Sequence, residues 1–341
     1  MHASQLAPVK SSRSIQARAA AFRASSAGRA SSQMITTFVP LAAAFALMFW
    51  GVAHAWWLTV LLLPVTALFF VRTFIIMHDC SHGSFTASRR ANEIIGFITG
   101  VITLTPFAQW RRDHALHHAS SGDLDRRGHG DVDTLTVDEY RSLNRWGRFR
   151  YRVYRNAFVM LFVGPIYLIA HHRLKPPADS PRTAKGPGVH VTNLAIVAMI
   201  GTLTWIVGWQ AMLLAYAPVV YLASIMGIWL FYVQHQHDAA YWENHEEWDY
   251  VTAAMHGSSF YRLPAVLEWF TGSIGRHHVH HVDPRIPNYR LKAAHESVPE
   301  FRAVPVLTFR ASLRTTSLKL WDPDQQKLVG FRAVRRAARR D

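Results

Sequence analysis

Two long stretches of the chain contain no charged side chain. The first covers residues 34–71, and Arg72 is the only charge between it and Asp79. The second covers residues 186–237. A membrane-spanning helix needs about 20 mostly apolar residues, so each stretch is long enough for two crossings. The pattern predicts four transmembrane helices, over about residues 35–50, 58–77, 191–207 and 212–233.

Two shorter apolar segments, residues 94–107 and 158–170, are too short to cross a bilayer comfortably. Gly164 and Pro165 also interrupt the second segment. If either segment crossed alone, the histidine groups described below would lie on opposite sides of the membrane. We therefore expect both segments to be interfacial or re-entrant.

Basic residues are concentrated outside the apolar stretches. The formal net charge is +15, while the turns at residues 51–57 and 208–211 carry no Lys or Arg. The positive-inside rule then places both termini and the middle region in the cytoplasm. Nucleic-acid binding would be another meaning of the basic excess, but the apolar spans argue against it and favour membrane lipids as partners. The predicted fold class is an all-α integral membrane protein with four transmembrane helices and a large cytoplasmic part.

The ends of the chain differ in composition from the middle. Residues 1–33 are basic, contain no acid and are rich in Ser and Ala. This composition predicts a disordered cytoplasmic tail, with an organelle transit peptide as the alternative. Residues 34–300 form the predicted membrane domain, and residues 301–341 a basic C-terminal cytoplasmic region. The expected location is a bacterial inner membrane, with an organelle membrane as the alternative.

Histidine is unusually abundant, with 20 copies, whereas Cys80 is the only cysteine. The groups that stand out lie at helical spacings i, i+3 and i+4, which direct side chains to one face of a helix, or close to the end of a predicted span. They are His78 and His82; His114, His117 and His118; His277, His280 and His281; and His235 and His237. His278 lies between ligand positions on its helix and is expected to point away.

The number of histidines indicates more than one metal ion. The first three groups supply eight imidazoles and His235 would supply a ninth, whereas one metal rarely takes more than about six ligands. Imidazole suits iron, zinc, copper or nickel, so the residue types leave the metal open.

The order and spacing of the three histidine boxes resemble the membrane fatty acid desaturase family. Residues 231–237 (FYVQHQH), 272–281 (GSIGRHHVHH) and 284–289 (PRIPNY) are similar to its delta-12, or omega-6, branch. The resemblance covers roughly residues 35–300, and related hydroxylases, conjugases and ketolases share the boxes. It implies that a cytoplasmic helical cap holds a histidine-rich diiron site and that dioxygen is a co-substrate.

The resemblance also implies a ligand set and a reaction. Two non-haem irons would be held by the eight histidines of the three boxes together with His235, for which His237 is the competitor. Asp79 and Asp113 would orient ligands through hydrogen bonds, with solvated charges beside the motif as the alternative. His237 would also act behind the ligands, and no catalytic residue beyond the ligands is expected. The reaction would introduce a cis double bond into an acyl chain, converting oleoyl to linoleoyl in the delta-12 case.

Substrate and electron donor stay open at this stage. The acyl group could be carried by a lipid, coenzyme A or a carrier protein. The chain contains no haem, iron–sulfur or flavin motif, so the electrons must come from a ferredoxin or a cytochrome b5. The rival functions are a diiron lipid hydroxylase and a membrane metal-binding or transport protein. Transport would need polar groups inside the spans, which are nearly free of them.

Overall fold

The computed structural model describes residues 12–128, 132–174, 188–332 and 334. Most of these residues are helical. The helices, in chain order, are α1 (Ser12–Ala20), α2 (Ala27–His54), α3 (Trp56–Ser81), α4 (Arg89–Ile102), α5 (Phe107–Ser120), α6 (Val137–Ser142), α7 (Arg145–Tyr154), α8 (Gly164–Leu174), α9 (Val189–Val207), α10 (Trp209–Ala211), α11 (Ala217–His235), α12 (Tyr250–His256), α13 (Ala265–Phe270), α14 (His277–Val282), α15 (Asn288–Ser297) and α16 (Phe309–Thr315). Two π-helical turns, Val159–Val163 and Met212–Tyr216, precede α8 and α11, and a 3-10 turn covers Pro299–Ala303.

Four helical segments are long and apolar enough to cross a membrane. They are α2, α3, α9 and the continuous run Trp209–His235. The predicted four spans are therefore confirmed. Each observed helix extends beyond both ends of its predicted span, except that the third ends at Val207 as predicted.

The two shorter apolar segments belong to bent helix pairs. The axes of α4 and α5 differ by 103°, and those of α7 and the segment Val159–His171 by 63°. Neither pair is a straight crossing. The bend between α4 and α5 is important for the site, because it turns α5 toward the ends of α3 and α11.

The spans pack through a small apolar core and leave wide apolar faces uncovered. Met48, Phe70, Ala215 and Val219 are buried together between α2, α3 and the last span. The outward faces expose large side chains such as Trp205, which is 85% exposed. Apolar faces of this extent suit contact with lipid rather than water.

The expected disordered tail over residues 1–33 is wrong for residues 12–33. Helix α1 buries Ile15 and Ala19 completely, in the same cluster as residues of α14 and α15. Arg23 Nε donates to Asp283 Oδ2 at 2.5 Å, and Arg18 pairs with Glu300. Composition could not show this order, because the acidic partners lie more than 250 residues away along the chain. Residues 1–11 lie outside the described part.

Four short strands accompany the helices. β1 (Phe260–Arg262) pairs in parallel with β2 (Val306–Thr308), and β3 (Leu320–Asp322) pairs antiparallel with β4 (Lys327–Val329). β2 lies beyond residue 300 and β1 before it, so the predicted boundary at residue 300 crosses a sheet. Each strand has only three residues, and the predicted helical membrane class is confirmed with these additions.

Candidate metal centre

Four helices bring nine imidazoles into one cluster. His78 lies in the last turn of α3, and His82 caps that helix immediately before Gly83, whose φ of +67° ends it. Helices α5 and α14 contribute three histidines each, and α11 contributes His235 as its last residue. The i, i+3, i+4 spacing predicted this outcome for α5 and α14, because it directs the three side chains of each helix to one side.

The imidazoles form two groups of four whose ligand atoms all lie within 4.8 Å of one another. The first group consists of His78, His82, His114 and His280, and the second of His117, His235, His277 and His281. Each group combines residues from at least three separate helices, so only the folded chain can assemble it.

His118 joins the two groups. Its Nε2 lies 3.1 Å from His114 Nε2 and 3.0 Å from His280 Nε2, both in the first group. Its ring centroid lies 4.2 Å from that of His281 in the second group. All eight predicted box histidines and His235 therefore belong to one connected cluster.

The ring nitrogens of the cluster cannot satisfy one another. An Nε2 atom offers either one N–H or one lone pair, yet His281 Nε2 lies within hydrogen-bonding distance of both His277 Nε2 (3.1 Å) and His117 Nε2 (3.3 Å). The Nε2 atoms of His78 and His82 are buried without a hydrogen-bond partner in the described part of the chain. Buried polar groups normally have partners. Lone pairs that converge in this way fit bound metal ions.

The protonation of the cluster also fits a metal site. Burial lowers the pKa of His82, His280 and His281 well below its ordinary value, and neighbouring histidines lower it further. Neutral imidazole is the form that binds a metal. The protein therefore holds these ligands in the form that binding requires.

Asp79 lies directly behind one candidate ligand. Its Oδ1 is 3.2 Å from His78 Nδ1, and its Oδ2 accepts hydrogen bonds from Asn288 N at 2.6 Å and Asn288 Nδ2 at 2.7 Å. An Nδ1–H bond to a carboxylate leaves Nε2 with its lone pair. Asp113 has a different environment, since it accepts bonds from Gln109 Nε2, one turn earlier on α5.

His235 and His237 lie in different places. His235 Nε2 is 3.0 Å from His277 Nε2, inside the second group. His237 is also buried, but neither of its ring nitrogens has a hydrogen-bond partner among the described residues. Burial lowers the pKa of His237 to about 4. The structure thus brings His235, and not His237, into the cluster.

The segment around His235 is fixed from both sides. Gln234 Nε2 donates to Ile274 O at 2.9 Å, just before α14, and Gln236 Oε1 accepts from Arg155 Nη2 at 2.7 Å. These bonds tie the end of α11 to α14 and to the region after α7. His235 is therefore held in place by side-chain hydrogen bonds of both neighbouring residues.

Sequence reasoning missed three residues that touch the cluster. Trp110 stacks on His114 at a centroid distance of 4.3 Å, and Phe231 packs against His117 and His235. The Tyr250 hydroxyl donates to His281 O at 2.6 Å. Trp110 and Phe231 each precede a ligand by four residues, so the helical spacing that selected the ligands could also have found them.

Comparisons with known proteins give independent information on the class of protein. The profile of the family described as "Fatty acid desaturase" matches residues 54–311. A Bacillus subtilis protein named "Fatty acid desaturase" is 44% identical over 305 residues, which cover 89% of this chain and 86% of that protein. A Synechocystis "sn-1 acyl-lipid omega-3 desaturase (ferredoxin)" is 28% identical over 66% of this chain and 63% of its own length. A Glycine max "Omega-6 fatty acid desaturase, chloroplastic" is 27% identical over 67% of this chain and 53% of its own length.

Proposed function

The chain belongs to the fatty acid desaturase family, and on that premise we propose that it is a diiron, oxygen-dependent desaturase that places a cis double bond at the delta-12 position of an oleoyl chain. The observation that carries the proposal is the pair of four-histidine groups joined by His118. The delta-12 position rests on motif residues 284–289 and on the similarity to the Glycine max omega-6 protein.

The proposed ligand sets follow the two groups. His78, His82, His114 and His280 would hold one iron, and His117, His235, His277 and His281 the other. His118 lies against both sets and is available to either. The bound irons would supply an oxidant made from dioxygen, which is strong enough to take hydrogen from unactivated methylene groups.

The reaction balances without a further protein group. One acyl chain, one dioxygen, two electrons and two protons give one alkene and two waters. The chain's own residues therefore have three tasks: to bind the metals, to orient the ligands and to exclude water. Asp79 performs the second task for His78 by accepting the Nδ1–H, which directs the Nε2 lone pair toward the first group.

The position of the cluster suits an acyl substrate. Two membrane spans, α3 and α11, end directly at the ligands His78 and His235. The ligands therefore lie at the edge of the apolar layer, where the chain of a lipid can reach them. Phe231 and Trp110 add apolar surface beside the imidazoles, and the buried cluster keeps bulk water out.

Electrons must come from a separate donor of the ferredoxin or cytochrome b5 type. The ferredoxin type is favoured by the printed names of the Synechocystis relative and of a Nostoc relative. The basic loops would attract an acidic donor, and such attraction weakens with salt. The Bacillus subtilis relative supports the bacterial inner membrane as the location, with both termini in the cytoplasm.

Expression in a host that makes oleate but no polyunsaturated fatty acid tests the function. We expect a dienoic acid with its new bond at the delta-12 position, identified by double-bond mapping in a mass spectrometer. His280→Ala should give none. The matched control is His278→Leu, which alters the opposite face of the same helix and should keep the product. A product that is heavier by one oxygen would instead identify a hydroxylase, and unchanged host lipids would contradict both enzymes.

A further inference from the structure

Arg72 has no role in the proposed reaction, although it is the only charged residue within the four predicted spans. It lies in the C-terminal half of α3, which leads to the metal centre, and is only 6% exposed. Its Nε donates to Thr37 Oγ1 at 3.1 Å, its Nη1 donates to Trp269 O, and its guanidinium lies 3.9 Å above the Trp269 ring. Ionisable residues inside membrane spans are costly and usually mark a functional site. The surroundings of Arg72 therefore indicate what it binds.

Arg72 lines a cavity of about 390 Å³ between the start of α2, the middle of α3, α13 and the start of α15. Most of the residues that line it have polar side chains, among them Arg29, Gln33, Glu268 and Asn288. The volume is larger than a single small ion requires, so it has room for a substituted group.

Two donors in this wall have no partner among the described residues. Gln33 is 4% exposed, and its Nε2 forms no hydrogen bond. Arg72 bonds through Nε and Nη1, which leaves Nη2 without a protein acceptor in the same part of the chain. A buried amide without a partner is costly. Together the two donors indicate a ligand that supplies acceptor oxygens.

The charge of the cavity selects an anion. Arg29 adds a second guanidinium, which reaches Tyr289 O at 3.0 Å with one nitrogen. The acid in the wall is Glu268, whose Oε1 is already paired with Arg276 Nη1 at 2.5 Å and accepts from Ser273 Oγ at 3.3 Å. Two guanidinium groups and an amide suit the oxygens of a phosphate.

We propose that this cavity binds the phosphate group of a membrane phospholipid, with Arg72, Arg29 and Gln33 as its donors. A lipid is favoured over a soluble phosphate because the donors lie on α2 and α3, two of the membrane spans. Trp269, under the guanidinium of Arg72, is 42% exposed, as is typical of an aromatic residue at the membrane interface.

The cavity adjoins the metal centre. Asn288 forms part of its wall and donates twice to Asp79 Oδ2, while Asp79 Oδ1 contacts His78 Nδ1. A phospholipid held there places its acyl chains close to the cluster. In naming the bound lipid as an acyl substrate, the inference rests on the proposed function, whereas the binding itself does not.

Lipid-dependent thermal stability of the detergent-solubilised full chain tests the binding. A ligand of the native state raises the unfolding midpoint in a saturable way. Dioleoylphosphatidylglycerol should do so, whereas dioleoylglycerol, which has the same acyl chains and no phosphate, should not. Removal of one charged hydrogen bond should raise the half-saturating lipid concentration in Arg72→Gln about tenfold. Arg72→Lys should restore part of the affinity.

The matched control is Arg90→Gln, which removes an exposed charge at the start of α4. Its half-saturating concentration should stay close to that of the unsubstituted chain. If Arg72→Gln does not fold, Gln33→Leu and Arg29→Gln test the binding site in its place, since each should weaken lipid binding. Equal affinity in these variants and in the control would overturn the proposal, as would an equal response to dioleoylglycerol. If inorganic phosphate raises the unfolding midpoint with a lower half-saturating concentration than the lipid, the cavity binds a soluble anion instead.

This assay needs no turnover. Failure of lipid binding therefore leaves the desaturase proposal intact, while an inactive chain that still binds phospholipid through Arg72 contradicts the desaturase proposal alone.

Discussion

The two faces of α14 carry the same residue type in opposite settings. On one face, His277, His280 and His281 converge with imidazoles from three other helices, and their Nε2 atoms compete for one another. On the other face, His278 Nε2 meets His295 Nδ1 at 3.1 Å, and the two rings pack beside Phe301 and Phe260. All five histidines are buried.

The comparison shows that burial and residue type do not define a ligand. Burial lowers the pKa of His280 and of His278 alike. The difference lies in the geometry of the lone pairs. His278 Nε2 and His295 Nδ1 can form one hydrogen bond with each other. At the centre of the cluster, by contrast, there are more Nε2 atoms than hydrogen bonds can pair. Metal binding is therefore expected on one face of the helix only.

His280→Ala should have the largest effect. It removes one ligand from the first group, and the loss of desaturation should be at least the roughly 100-fold seen when residues behind a ligand are changed. Metal content should fall with it. The check is product formation together with iron analysis of the purified protein. Full activity in this variant would remove the distinction between the two faces.

Asp79→Ala should have the next largest effect, because it leaves the ligands in place and removes the acceptor for the His78 Nδ1–H. Loss of such a partner costs about 10–100-fold in metal affinity. The measurement is a titration with a competing iron chelator. Asp113→Ala is the comparison variant, since Asp113 is bonded to Gln109. Equal chelator resistance of the unsubstituted chain and Asp79→Ala would contradict the orienting role.

Acid should destabilise the metal-free protein. The folded pKa of His277, His280 and His281 lies well below the ordinary value of 6.5, so only the unfolded chain takes up protons just below that pH. By linkage, stability is retained above pH 6.5 and is lost progressively as the pH falls below it. For His295 the loss extends down to its folded pKa of about 4. Denaturant unfolding at several pH values measures the slope; a flat profile over this range would contradict the buried, neutral histidines.

His278→Leu should change stability but not metal content. The substitution leaves His295 Nδ1 without its partner in an apolar pocket, which costs about 1–3 kcal/mol of unfolding free energy. Denaturant unfolding and iron analysis of the same sample check both halves of the prediction. A loss of iron that matches that of His280→Ala would show that the second face also takes part in metal binding.

His237→Leu should have the smallest effect. It replaces a buried imidazole that forms no hydrogen bond among the described residues with an apolar side chain, so the change in stability should stay within about 1 kcal/mol. Iron content should be unchanged, whereas His235→Leu should lose iron. The pair of variants measures directly whether His235, the last residue of α11, or His237, just beyond it, is the ninth ligand.

Local patterns predicted much of the site. The spacing of the histidines in α5 and α14 fixes their common direction, because neighbouring helix turns bring i, i+3 and i+4 together. The uncharged runs predicted the spans for an equally local reason. The docking of α1 could not be predicted, because Ile15 and Ala19 are buried by residues far away in the sequence. The bond from Asn288 to Asp79 joins positions 209 residues apart, and no local pattern encodes it.

Iron stoichiometry in the active protein tests the central claim most directly. The converging imidazoles predict two irons per chain in the full-length protein purified from the membrane, with desaturation that rises in proportion to iron on reconstitution. Preparations that desaturate fully with no iron, or with one iron per chain, would contradict the assignment of two metal groups around His118.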